Sequence, residues 1–169
     1  MEEQLQELLD KRACEEVLLR YGRTLDWLDE AGQAACFWPD AAIDYGFFEG
    51  DGAGWPPVAM QTELACDKRW HVCTGTLVEV KGHQARAESY GLTMGAVTDD
   101  TGQQIATLFG GRYLDELEKR DGEWRISKRC YIGDWAKQFP DELGAITENG
   151  LALNILDITA PGHDHYRNL

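Results

Sequence analysis

The sequence predicts an α+β domain: helices first, then a strongly curved antiparallel sheet with the helices on one face. Three observations predict it. Apolar residues recur at helical spacing in the opening segment. Residues alternate at strand spacing through the second half, and short Gly/Asp turn signals separate those runs.

The elements follow in order. Leu5, Leu8, Leu9, Cys14, Val17, Leu18, Tyr21, Leu25 and Leu28 form one stripe, which predicts a helix over 3–28. A second helix is expected over 30–37 and ends at Phe37-Trp38-Pro39-Asp40, because proline stops a helix. Ala41 to Phe48 reads as a short strand and 49–57 as a Gly/Pro loop. A helix is expected over 58–68. Four strands follow, over 71–81, 84–97, 104–119 and 123–132. Their connections are Lys81-Gly82, Asp99-Asp100-Thr101-Gly102 and Asp121-Gly122, the last a strong hairpin signal. No repeat or linker interrupts the chain, so residues 1–138 read as one domain. Residues 139–169 read as a tail: a lid, an arm to a neighbouring subunit, or disorder.

Composition narrows the function classes. The 169 residues fit a single core. A formal net charge of −14 repels phosphate backbones and anionic lipid, so neither nucleic acid nor membrane is expected as a partner. Five cysteines with no CxxC pair argue against a disulfide framework or a zinc ribbon. The acidic start lacks an apolar signal region, and no run approaches the ~20 residues of a membrane span. A cytoplasmic location is the expectation.

Four polar residues carry candidate chemistry. His71 opens a strand and Asp26 lies near the end of the first helix. Together they make a base and its orienting carboxylate. An imidazole with a pKa of ~6.5 is mostly neutral at physiological pH, as a base must be. Arg129 on the last strand offers a permanent positive charge to an enolate or a departing anion. Tyr21 offers a hydroxyl donor. Each has a structural alternative. His71 at a strand start bonds a backbone carbonyl, Asp26 caps a helix, Arg129 pairs with Asp134 or Asp115, and Tyr21 packs in the core. Two geometric questions stand beside these roles. Tyr21 and Asp26 are five residues apart, so they point roughly 140° apart around a helix. Strict alternation puts Arg129 opposite the apolar set Trp124, Ile126, Cys130 and Ile132, unless a bulge re-aims it.

Trp38, Tyr45, Phe47, Phe48 and Trp55 cluster before and within the loop and read as the wall and mouth of an apolar pocket. Core packing explains Trp38 equally well. Cys73 shares a strand face with His71 and is expected to line the same pocket, with nothing to mark it as a thiolate. His163 and His165 form a metal-like pair without further ligands, so no metal site is assigned. No cofactor is expected.

These pieces together resemble the SnoaL-like family. The matching stretches are Tyr21 with Leu25-Asp26, Phe37-Trp38-Pro39-Asp40-Ala41, Trp70-His71, Gly111-Arg112-Tyr113-Leu114-Asp115, Arg120 to Ile126, Arg129 and Asp134-Trp135. The resemblance implies the cone-shaped α+β barrel of the nuclear-transport-factor-2-like fold. In site pattern it is nearest to the bile-acid 7α-dehydratases and the hexachlorocyclohexane dehydrochlorinases. It implies a catalytic set of His71, Asp26, Arg129 and Tyr21, where Tyr21 favours the dehydratase pattern. A further acid of the dehydratases has no counterpart, since Met94 falls near its place.

The resemblance further implies a cofactor-independent lyase or isomerase. Its substrate would be small, hydrophobic and cyclic, with Trp38, Tyr45, Phe48, Trp55 and Cys73 around it. A non-catalytic small-molecule binder, or a subunit resembling the β-subunit of aromatic-ring dioxygenases, are the other classes on this fold. A homodimer or homotrimer through the outer sheet face is expected, with Val78, Val80, Leu108 and Leu114 as its apolar surface.

Overall fold

A computed structural model describes residues 1–150 and Tyr166. Four helices and six strands occur among them, in the order α1 (Glu2–Asp26), α2 (Glu30–Ala35), β1 (Phe37–Asp44), β2 (Glu49–Asp51), α3 (Trp55–Leu64), β3 (Lys68–Lys81), β4 (Gln84–Thr98), β5 (Gln104–Arg120), β6 (Glu123–Pro140) and α4 (Leu143–Glu148). The sheet runs β2-β1-β6-β5-β4-β3. All neighbours are antiparallel except β1 and β6, which are parallel. The sheet is curved but not closed, so β2 and β3 are free edges and the expected barrel is an open cone.

Helix α1 buries Cys14, Val17, Leu18, Tyr21 and Leu25 against the sheet. Leu5, Leu8 and Leu9 continue that stripe in sequence but stay exposed. The packed part of the helix begins near Asp10, whose carboxylate accepts from Lys119 Nζ at 2.7 Å and Trp124 Nε1 at 2.8 Å. The helix stops at Asp26, two residues earlier than the stripe suggests. Leu28 has a positive φ of 55°, which α-helical geometry forbids. Asp29 then caps α2 by accepting the Gly32 N–H at 2.9 Å.

The expected second helix ends at Ala35, and Trp38-Pro39 lies inside β1, where the pairing with β6 slips between Phe37 and Ala42. Proline lacks the N–H a regular ladder needs, so it sits at that irregularity. Trp55-Pro56-Pro57, expected in a loop, opens α3 instead. Prolines suit a first helical turn, whose N–H groups have no intrahelical partner. Asp121 and Gly122 both have positive φ (52° and 86°), as a tight two-residue hairpin requires.

Strand β6 extends to Pro140, well beyond the expected end at 132. It carries two bulges. Glu116 pairs with Lys128 and Leu117 with Ile126, leaving Ser127 extra; Gly110 pairs with Trp135 and Gly111 with Gly133, leaving Asp134 extra. The first bulge reverses the alternation. Trp124 and Ile126 face inward before it, and Arg129 faces inward after it, while Ile132 is exposed. Val78 and Val80, expected on the outer face, pack against the core. Of the tail, 151–165 and 167–169 lie outside the described residues. Tyr166 packs at the end of α1, its ring 4.0 Å from the Arg23 guanidinium and 5.1 Å from the Trp27 ring. Among the described residues no helix is long and apolar enough to cross a membrane.

Candidate active site

The open side of the cone holds a cavity of about 460 Å³ between the end of α1, helix α3 and the inner faces of β3–β6. Tyr21, Tyr45, Phe47, Trp55, Phe109, Tyr113 and Tyr131 make most of its wall. Leu25, Ala59, Thr62, Glu63, His71, Thr93 and Gly133 complete it. Three other hollows, of about 310, 750 and 540 Å³, lie among charged side chains such as Glu79, Arg86, Glu116 and Lys119. His83 borders the last of them, but none has an aromatic cluster or a histidine tied to a carboxylate, so the candidate chemistry collects in the first.

His71 and Asp26 are brought together here by the crossing of α1 over β3. Gly22 permits that crossing: a Cβ on it would lie 3.3 Å from His71 Cβ. One turn later Asp26 ends the helix and reaches the histidine with both oxygens. Oδ1 accepts from the ring Nδ1 at 2.8 Å, and Oδ2 accepts from the His71 backbone N–H at 3.2 Å. This double hold fixes the ring plane and directs Nε2 into the cavity. There Nε2 meets Glu63 Oε1 at 3.4 Å. The His71 side chain is only 6% exposed. Burial pulls its pKa down, but the hydrogen bonds and charges of Asp26 and Glu63 win and raise it to about 9. Between two carboxylates the imidazole therefore holds its proton more firmly than a free histidine does.

Tyr21 answers the first geometric question by reaching the cavity from the core side. Its ring stands edge-on to Phe37 and Tyr113, with centroids 5.8 and 5.7 Å away. Its hydroxyl lies 2.5 Å from that of Tyr45, and both tyrosines line the cavity. Burial first, then the neighbouring phenols, push the Tyr21 pKa well up, against the pull of Arg129. Both hydroxyls therefore stay protonated; one donates to the other, which leaves one proton of the pair free to donate into the cavity.

Arg129 is turned inward by the bulge at Ser127, yet it does not reach the cavity. Its Nε and Nη2 donate to the two Asp115 oxygens at 2.7 and 2.8 Å, and the pair is fully buried. The guanidinium carbon sits 4.1 Å from the Tyr21 ring and 4.4 Å from the Tyr113 ring. Arg129 is thus a charge behind the aromatic wall, not a group in contact with a ligand. Nη1 is left without a geometrically sound hydrogen bond.

The five expected lining residues divide. Tyr45 and Trp55 line the cavity and stack at 4.0 Å. Phe48 stands one layer back, 5.2 Å from Trp55, and supports it. Trp38 is outside: it lies between the Arg120 and Arg125 guanidinia, each 4.8 Å away, and its Nε1 donates to the Glu118 carbonyl at 3.0 Å. Cys73 lies further along β3, where its Sγ contacts Ser89 Oγ at 3.3 Å, and does not line the cavity. It has the parity of His71 on β3, but two residues of rise (~7 Å) separate them.

Sequence reasoning missed Glu63, Tyr113, Tyr131 and Phe109. Glu63 had a signal: it lies four and eight residues after Ala59 and Trp55, so a carboxylate sits on the helix's buried stripe. Tyr113 and Tyr131 are directly paired across β5 and β6. Only the register, and hence the bulge, makes them neighbours. Among the described residues no group of three or more His, Cys, Asp or Glu is arranged to hold a metal ion. His163 and His165 lie outside the described residues.

Helices packed on a curved, unclosed and mostly antiparallel sheet define the α+β class of the fold. Within it, the SnoaL-like domain pattern matches residues 6–130, and the chain belongs to that family. No curated protein sequence matches it. Among solved structures it is similar to a candidate scytalone dehydratase from Novosphingobium aromaticivorans DSM 12444. They share 19% identity over 78% of this chain and 89% of that one, with a TM-score of 0.69. The hexachlorocyclohexane dehydrochlorinase LinA-type3 from Novosphingobium barchaimii LL02 shares 22% identity over 80% and 94%, with a TM-score of 0.68. Rv3472 from Mycobacterium tuberculosis, of unknown function, shares 27% over 79% and 75%, with a TM-score of 0.60. At these identities the likenesses to the first two speak for the fold.

Proposed function

We propose that the protein is a cofactor-independent lyase or isomerase acting on a small, hydrophobic, cyclic substrate that carries a carbonyl. The observation that carries this reading is His71: its Nδ1 is tied to Asp26, and its Nε2 is presented to an aromatic cavity. That is the arrangement of a base with its orienter. A ring of Tyr45, Trp55, Tyr113 and Tyr131 suits a flat apolar ligand. With the carbonyl against the Tyr21–Tyr45 hydroxyl pair, its oxygen accepts the pair's free proton in a hydrogen bond that strengthens as it becomes an enolate. Arg129 adds positive potential from behind those rings without being touched. His71 in its neutral form takes the proton next to that carbonyl, and Asp26 stabilises the imidazolium that results. In a lyase a leaving group then departs; in an isomerase the proton returns elsewhere.

The test is turnover of cyclic ketones bearing a leaving group at the β-carbon by the wild type and by His71→Ala. The reading expects loss of ~10²–10⁴-fold in the variant. Full activity in His71→Ala would remove the mechanism.

An oligomer belongs to the same proposal. Tyr90, Leu114, Ile132 and Trp135 are exposed on the outer sheet face, an apolar surface of the kind that subunits cover. Light scattering at the mass of one chain, 19.0 kDa, would contradict it.

A further inference from the structure

The elimination reading leaves one group in the cavity unused. Glu63 lies one residue from the end of α3, its side chain 13% exposed. A carboxylate so far out of water normally has a cation of its own. Glu63 has no lysine or arginine partner among the described residues; its carboxylate meets His71 Nε2 alone. Arg69 at the start of β3 uses its guanidinium on the backbone carbonyls of Glu63, at 3.1 Å, and Cys66, at 2.6 Å. The backbone of Glu63 is therefore pinned while its carboxylate is held only by the proton on His71. The 3.4 Å separation is long for a strong hydrogen bond. It leaves the carboxylate able to turn towards a ligand.

We propose that Glu63 is a catalytic acid for a hydroxyl leaving group, taking the His71 Nε2 proton and delivering it to the departing oxygen, so that the reaction is a dehydration. This deepens the elimination reading and rests on it. The proton count closes. The proposed cycle starts from two ionised carboxyl groups, Asp26 and Glu63, with His71 as imidazolium between them. Transfer of the Nε2 proton to Oε1 leaves a neutral imidazole beside a carboxylic acid. The imidazole takes the C–H proton, and that electron pair passes through the enolate into the new C=C bond as the C–O bond breaks. Glu63 protonates the leaving oxygen to give water. His71 ends as imidazolium and Glu63 as carboxylate, which is the starting state. Hydroxide needs this proton to leave; chloride does not. Because Nε2 and Oε1 are neighbours on one side of the cavity, the hydrogen and the hydroxyl leave from the same face.

The charged and titratable groups around this pair are Asp26 and Tyr21 of α1, Tyr45 after β1, Cys66 after α3, Arg69 of β3, Tyr113 of β5 and Tyr131 of β6. The phenols stay protonated, so the shared proton is the one that titrates first. Two probes test the assignment: β-hydroxycyclohexanone, and its β-(para-nitrophenoxy) analogue, whose phenolate leaves unprotonated. In Glu63→Gln the hydroxyl probe should slow by ~10²-fold or more, and by at least tenfold more than the nitrophenoxy probe, whose leaving group needs no proton. The wild-type rate on the hydroxyl probe should be level and then fall as pH passes about 9, where the shared proton is lost. Equal slowing of both probes, no slowing of either, or a rate that rises to pH 9 overturns the role of Glu63. Wild type that releases nitrophenolate but never water overturns Glu63 alone. Wild type that eliminates neither, with His71→Ala no different, overturns the elimination reading beneath it.

Discussion

Asp26 grips His71 twice, through the ring at 2.8 Å and through the backbone N–H at 3.2 Å. The second contact matters as much as the first. It ties the end of α1 to the first residues of β3, so the helix cannot shift without turning the imidazole. Removing the charge but keeping the shape isolates its effect. Asp26→Asn should keep the fold and lower the rate by ~10²–10⁴-fold, since the ring loses both its fixed tautomer and its counter-charge. Steady-state kinetics beside a thermal melt separates the two effects.

The titration of His71 follows from its two carboxylates. Its midpoint should lie near 9, read by NMR of the imidazole carbons. In the unfolded chain the value returns to ~6.5. A folded pKa above the unfolded one stabilises the fold fully below pH ~6.5, and that contribution fades as pH rises through about 9. Unfolding free energy should therefore decline by roughly 2–4 kcal/mol across that window. In His71→Gln the decline should vanish. A midpoint near 6.5 would contradict the double-carboxylate environment.

Gly22 sets how closely α1 approaches β3. Gly22→Ala places a methyl 3.3 Å from His71 Cβ, so the helix or the strand must yield by a few tenths of an ångström. Helix propensity gains up to ~1 kcal/mol from the change, so stability should move little. Activity should fall by ~10–10²-fold, because small misplacements of a base are costly to rate. A rate equal to wild type would show that the contact does not set the dyad.

Much of this architecture was legible in the chain. Alternation and the Lys81-Gly82 and Asp121-Gly122 turns predicted the four long strands in their meander order, because side-chain period and turn chemistry are local properties. The end of α1 was legible only in part: Leu28 fits the apolar spacing, but its positive φ places it outside the helix. The bulge at Ser127 was not legible, since an extra residue shows only when two strands are set in register. Arg129 then illustrates both halves. Its inward turn required that bulge, and its pairing with Asp115 was one of two partners the sequence offered. Trp38 misled because an aromatic cluster in sequence says nothing about which side of a strand each ring takes. Glu63 was passed over because a glutamate near a helix end usually faces water.

The buried Arg129–Asp115 pair supports the aromatic wall, and breaking one half should be severe. Arg129→Leu leaves the Asp115 carboxylate buried without a counter-charge, which costs about 3–5 kcal/mol in chemical denaturation. Arg129→Leu combined with Asp115→Leu should recover most of that loss, since an apolar pair needs no solvation. The double variant should still be slow, because the positive potential behind Tyr21 and Tyr45 is gone. Recovery of both stability and rate would assign Arg129 a structural role alone.

The hydroxyl pair offers a parallel test. Tyr21→Phe and Tyr45→Phe each remove one donor from the cavity. Each should lower kcat by ~10²–10³-fold if it serves the developing enolate. Stability should fall by only ~1 kcal/mol, the usual worth of one buried hydrogen bond. Kinetics and denaturation on the two variants check this directly.

The central claim is that His71 exchanges a proton with a carbon of a bound ligand. The most direct measurement is deuterium uptake by a cyclic ketone, β-hydroxycyclohexanone, incubated in D₂O with the protein and followed by NMR. The account predicts deuterium at the carbon between the carbonyl and the leaving group, or in the enone formed from it. That uptake should fall to the buffer rate in His71→Ala. Uptake unchanged in His71→Ala, or none above buffer in the wild type, would contradict it.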